Sequence, residues 1–159
     1  MKLDSTSLKI VSRLLMDGRL THQALADEFN YSRPAIHQRI NKLEGSGVIK
    51  GYKADVDFRK LGFNIETFVI VNIHTLDYNE TISSILDLSE EGVYVEKVFR
   101  ITGENCIMVK LLVASTEHLR KFHDKILKIE GLVETNTMMV MQEEDNVFEG
   151  RFAQEDADE

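Results

Sequence analysis

Cysteine is nearly absent: the 159-residue chain has one, Cys106, which excludes an internal disulfide framework. With only five scattered histidines beside it, a structural zinc site is not expected either. No apolar run approaches the ~20 residues that a membrane-spanning helix needs. Lys2 and Lys9 are not followed by the continuous apolar stretch of a signal peptide. No nucleophile–base pair or phosphate-cradling glycine loop stands out, so catalysis and a bound cofactor are not expected. These absences describe a cytoplasmic soluble protein with no membrane partner. What is present suits that class: 43% of residues are hydrophobic, enough for one domain or two small ones.

The net charge of −8 is unevenly spread. Residues 1–60 hold eleven Lys/Arg against seven Asp/Glu, or +4, and residues 61–159 hold eight against twenty, or −12. Such asymmetry suggests one unit built to approach a polyanion and an acidic unit with another task. The basic excess is modest, so a single copy would hold nucleic acid weakly at physiological salt.

Three short helices account for the first part of the chain. Residues 4–17 carry Leu8, Val11 and Leu15 on one face, widened by Ile10 and Leu14, before Asp17-Gly18. Thr21 can cap a second helix to about Phe29, buried through Ala24, Leu25 and Phe29. Asn30-Tyr31-Ser32 then turns into a third. Ser32 is a good N-cap, and Pro34 fits the first helical turn, where its missing N–H costs nothing. Ile36, Ile40 and Leu43 form a buried stripe. Gly45 and Gly47 end this helix, and Val48 to Tyr52 reads as a brief extended wing. A three-residue turn between the last two helices is the spacing of a helix-turn-helix.

Residues 53–62 are charged and suit a linker. Beyond them, Phe68–Ile73, Val93–Ile101, Ile107–Val113 and Val133–Val140 are strand-like apolar runs. Helical patterns lie near 79–88, through Ile82, Ile85 and Leu86, and near 116–129, through Leu119, Phe122, Ile126 and Ile129, with Gly131 as the stop. The order β-α-β-β-α-β predicts a ferredoxin-like split unit with both helices on one sheet face. The fold class is therefore α+β: a winged helix-turn-helix over 1–52 and a ferredoxin-like domain over 63–142. Strand one is apolar on both sides, Val69, Val71 and Ile73 against Phe68 and Ile70. The second face needs a cover, and a second copy is the simplest one. Residues 143–159 hold eight acids and one Arg, which suits a disordered tail.

Leu3-Asp4, Asp17-Gly18-Arg19, Leu25-Ala26, Arg39-Ile40, Leu43-Glu44, Gly47 to Tyr52 and Lys60-Leu61-Gly62 resemble the first half of the Lrp/AsnC ("feast/famine") regulators. Arg100 to Gly103 and Glu130 to Thr137 resemble their sensing domain. The resemblance covers roughly residues 3–142. It implies binding to double-stranded DNA, homodimers joined through the sensing domains and assembled further into tetramers or octamers, and a small-molecule effector, commonly an amino acid, between dimers. Carried over by position, the effector candidates are Gly103, Glu104, Asn105, Cys106, Thr135 and Thr137. Amino-acid-sensing members carry acids at the first and third positions after Thr-Gly; here the third is Cys106, and a thiol cannot replace a charge partner for an ammonium ion.

Within the third helix, Ser32 caps, and Arg33, His37, Gln38 and Asn41 are candidates for base-edge contact. Lys42, Lys50 and Lys53 are candidates for phosphate contact. Arg39 lies nearer the buried stripe, where it can meet either phosphate or an acid of its own domain. His118 and His123 are five apart, about 140° around a helix, and cannot share a metal-ligand face; His74 has no companion at ligand spacing. Two alternatives accompany a gene-specific regulator. One is a sirohaem-decarboxylase-like enzyme of related fold, whose substrate needs a basic cluster where Lys97, Arg100 and Lys110 are dispersed. The other is an effector-independent nucleoid-organising protein.

Overall fold

The computed structural model describes residues 3–103, 106–144, 146 and 148. Val56–Glu143 forms one compact unit, and the described residues on either side of it form another.

Three helices build the first unit: α1 (Ser5–Met16), α2 (His22–Phe29) and α3 (Arg33–Gly45). Each starts at a side chain that accepts a bond from an otherwise unpaired amide: Asp4 from Ser7, Thr21 from Ala24 and Ser32 from Ala35. Ile10, Leu25, Ala26, Ile36, Ile40 and Leu43 form the buried core, with Leu3, Val11, Leu14, Leu20, Phe29 and Ile49 packed around it. Leu15, expected on the buried face of α1, is instead 65% exposed. The stripe that packs runs through Ile10 and Leu14, one turn apart, which turns Leu15 toward solvent.

The close of α3 is a Schellman motif. Gly47 (φ +75°) donates its N–H to Glu44 O, and Val48 N–H bonds Leu43 O. Gly45 is still helical, so Gly47 alone supplies the left-handed residue. Residues 50–57 then carry neither helix nor strand, and the wing segment forms no ladder.

The second unit starts earlier than residue 63. A 3₁₀ turn at Phe58–Leu61 occupies the expected linker, and the Phe58 ring packs on Phe63 and Tyr94. Strands β1 (Ile65–Ile73), β2 (Val93–Arg100), β3 (Ile107–Val113) and β4 (Leu132–Met139) alternate with α4 (Tyr78–Leu86) and α5 (Thr116–Ile126). They form an antiparallel sheet in the order β2-β3-β1-β4. One face is the core, where Val69, Val71, Ile73, Val95, Ile107, Val109 and Leu111 meet Ile85, Phe122 and Ile126 of the helices. Leu86, expected among them, is exposed, and Leu88 beyond the helix end packs in its place.

On the other face, ladder neighbours bring Phe68, Ile70, Met108, Phe99 and Met138 together. At its centre the Lys110 ammonium lies 3.1 Å from Glu66 and 3.0 Å from Glu96. Burial opposes the charge on Lys110, but bonds from Glu96 and Glu66 outweigh it and raise its pKa. Helix α5 stops at Ile126, short of Gly131. Gly131 (φ +82°) serves the β1–β4 junction instead: its carbonyl accepts from His74 N–H at 2.8 Å, and an added Cβ would lie 2.0 Å from His74 O.

Gly131→Ala is therefore expected to lower the unfolding free energy by about 1–3 kcal/mol in urea melts. Gly45→Ala, helical and with nothing near an added Cβ, should raise it by up to about 1 kcal/mol.

Candidate nucleic-acid interface

Burial of Ile36, Ile40 and Leu43 fixes the rotation of α3, and the 3.6-residue period places the remaining side chains outward. Ser32, Arg33, Pro34, His37, Gln38, Asn41 and Lys42 are all exposed. The turn that delivers them uses Asn30 in the left-handed region (φ 56°), with Tyr31 N–H bonded to Ala26 O at 3.0 Å. Asn and Asp tolerate that conformation better than other side chains. Arg33, Gln38 and Lys42 carry no side-chain bond within the protein among the described residues, so their donors face solvent.

His37 and Asn41 do have partners. Asn41 Nδ2 is 3.2 Å from His37 Nε2, and His37 Nδ1 is 3.3 Å from Nδ1 of His22 on α2. The sequence analysis did not single out His22; it meets His37 across the helix-turn-helix, a contact that spacing does not reveal. Arg39 turns inward, as its place beside the stripe allows. Its Nη1 donates to Asp4 Oδ2 at 2.6 Å and Ser7 Oγ at 3.4 Å, and its guanidinium stacks 5.6 Å from the Tyr31 ring centre. The Arg39 bond, with two more from Ser7, holds the Asp4 carboxyl down at about 2.

Lys50 and Lys53 flank Tyr52, which anchors the segment after the Schellman turn. Its hydroxyl donates to Glu44 Oε1 at 3.0 Å, and its ring lies beside Gly18. Burial, then the Glu44 carboxylate, raise the Tyr52 pKa. Both lysines are exposed.

The second unit contains a cavity of about 690 Å³ lined by Asn72, Ile73, His74, Thr75, Leu76, Tyr78 and Cys106. Cys106 reaches it, as its backbone N–H joins Val71 O at 3.2 Å. The thiol hydrogen-bonds Tyr78, which with burial raises the phenol pKa. The Arg100 guanidinium covers the Tyr78 ring at 3.9 Å. Thr135 and Thr137 sit opposite Val71 and Val69 and do not line this cavity. Thr137 Oγ1 bonds His123 Nε2 at 2.7 Å, and burial lowers the His123 pKa. Gly103 takes φ +114°, while Glu104 and Asn105 lie outside the described residues. His74 and Tyr78 line the cavity and Arg100 stacks on Tyr78, roles that the sequence analysis did not mark.

An exposed polar helix in a helix-turn-helix, joined to an α+β domain with a cavity, defines a DNA-binding transcription regulator with a ligand-binding domain. Residues 3–50 match the winged helix-turn-helix DNA-binding family, and residues 68–147 match the Lrp/AsnC ligand binding domain. The HTH-type transcriptional regulator LrpC of Bacillus subtilis is 32% identical over 145 residues, covering 91% of this chain and 96% of LrpC. The LrpC structure superposes with a TM-score of 0.79, covering 91% of this chain and 99% of that one. The HTH-type transcriptional regulator FL11 of Pyrococcus furiosus is 31% identical, covering 88% of this chain and 90% of FL11. E. coli AsnC is 26% identical with a TM-score of 0.77, covering 90% and 95% of the two chains. The chain belongs to the Lrp/AsnC family of transcription regulators. Among the described residues no helix is long and apolar enough to cross a membrane.

The Asp4–Arg39 pair carries a pH dependence of known sign. Folding depresses the Asp4 pKa from 3.8 to about 2, so its stabilisation is complete above about pH 4 and is lost as pH falls toward 2. Asp4→Asn keeps a competent helix cap and removes the charge. At neutral pH it should cost below about 1 kcal/mol, because the two side chains are 54% and 30% exposed. Acid titration followed by circular dichroism should show a shallower stability loss between pH 4 and 2 than in the native protein.

Proposed function

We propose that this regulator reads palindromic operators as a dimer joined through the open sheet face. A small molecule at the second domain then modulates DNA binding. The observation that carries the reading is the outward arc of α3, where Arg33, Gln38 and Lys42 present donors with no competing partner among the described residues. Arg33, His37, Gln38 and Asn41 meet base edges, Ser32 caps the helix at the phosphates, and Lys42, Lys50 and Lys53 bind phosphate. Arg39 acts by positioning α3 through Asp4 rather than by touching DNA.

Dimerisation rests on the open face. Phe68, Ile70, Phe99, Met108 and Met138 form an apolar patch around Lys110, and a second sheet packed on it would remove that patch from water. Two recognition helices at fixed separation require half-sites at matching separation, hence an imperfect palindrome. Pairing also compensates for the weak charge of one copy, and further assembly to tetramers or octamers extends the same logic. The effector belongs with Gly103, Glu104, Asn105 and Cys106, of which Cys106 lines the cavity together with His74 and Tyr78; Thr135 and Thr137 lie on β4 and do not line it. An effector acts by shifting the spacing or the assembly of the DNA-reading units.

Arg33→Ala and Gln38→Ala are each expected to weaken operator binding by ~1–3 kcal/mol in mobility-shift titrations. Unchanged affinity in both would remove α3 from the groove. Ile70→Asp should convert the dimer to monomer in sedimentation velocity runs, and a variant that stays dimeric would place the interface elsewhere.

A further inference from the structure

We propose that His22 and His37 together form a binding site for a divalent transition-metal ion, with zinc as its representative. Their Nδ1 atoms face each other at 3.3 Å, and the ring centres are 5.1 Å apart with planes tilted by 40°. Two neutral imidazoles reach that distance by sharing one proton between two lone pairs. The same distance is the bite of two nitrogens on a tetrahedral ion: zinc–nitrogen bonds of about 2.0–2.1 Å at the tetrahedral angle separate the nitrogens by about 3.3–3.4 Å. For both rings to ligate through Nδ1, the ring that carries the Nδ1–H shifts its proton to Nε2 through solvent, and each lone pair swings by about 35° off the line between the nitrogens. Imidazole χ2 is broad enough to supply that rotation.

Asn41 strengthens the assignment. Metal-bound histidines use their second ring nitrogen as a donor to a fixed acceptor. Here Asn41 Nδ2 lies 3.2 Å from His37 Nε2, and a half-turn of the amide puts Oδ1 in that place, where it accepts from the Nε2–H of the metal-bound ring. His22 is half-buried at the start of α2 and His37 is exposed, so one ligand is held by packing while the other leaves the ion open to solvent. Among the described residues no third His, Cys, Asp or Glu joins them. The remaining positions are taken by water, and imidazole pairs of this kind favour zinc, copper or nickel over calcium or magnesium. Fifteen residues separate the two histidines, so no local motif signals the pair.

The consequence for DNA rests on the reading of α3 as the recognition helix. With an ion bound, His37 and Asn41 serve the metal in place of their base-edge contacts, and the ion's positive charge and open coordination positions take over that part of the contact with DNA, so zinc should tighten operator binding. The test is a calorimetric titration of the full chain with zinc chloride, read against circular dichroism. The native protein should bind one ion per chain. His22→Gln and His37→Gln, which keep helix propensity, should lose that binding with unchanged helicity. Asn41→Ala should weaken it by about tenfold, while His74→Ala should leave it intact. Absence of zinc binding, or equal binding by both glutamine variants, would overturn the site while leaving the DNA reading untouched. Zinc bound by the native pair without any change in operator affinity, in a protein that still needs Arg33 and Gln38, would overturn the coupling.

Discussion

The direction in which α3 presents its polar arc depends on three buried side chains. Ile36, Ile40 and Leu43 are at most 2% exposed, and a helix is a rigid cylinder, so fixing one stripe fixes the opposite arc. The Schellman turn at Gly47 and the cap at Ser32 set where that cylinder begins and ends. Arg39 adds a further restraint: its link to Asp4 ties the middle of α3 to the start of α1. The polar surface of α3 is thus preorganised by contacts within its own unit. Its free donors pay little ordering cost for the backbone that presents them.

The second unit answers a different constraint. Helices α4 and α5 cover one face of the sheet, leaving the other with an apolar patch around a lysine held by two carboxylates. A patch of that kind is costly to leave in water. The central Lys110 cluster makes the face more selective than an all-apolar one. Whatever packs there has to accommodate a satisfied ion pair rather than displace it, since stripping either partner would leave a charge unpaired in a dry interface.

Much of this was legible in the chain because the signals are periodic or local. The three helices, the four strands and their order followed from apolar spacing, and Thr21 and Ser32 act as the caps their chemistry suggests. The outward arc of α3 was legible for the same reason. What was not legible depends on contacts distant in sequence. Leu15 and Ile10 are equally apolar, and only the packing of α1 chooses between them. Gly131 has the sequence signature of a helix stop but is required by the carbonyl of His74, 57 residues earlier and just past the end of β1. Phe58 seemed to lie in a linker until Phe63 and Tyr94 supplied its packing partners. The cavity draws His74, Tyr78 and Cys106 from separate segments, with Arg100 stacked on Tyr78, and no spacing rule joins them.

Charge sets the last constraint. A surface with only a few cations gains little from counterion release, so on the proposed reading its discrimination between sequences has to come from base-edge hydrogen bonds rather than from phosphate attraction. The second unit adds no attraction of its own: Val56–Glu143 holds nine Lys/Arg against fourteen Asp/Glu, or −5. The donors that α3 presents, Arg33 and Gln38 among them, therefore matter to the proposed function as geometry more than as charge.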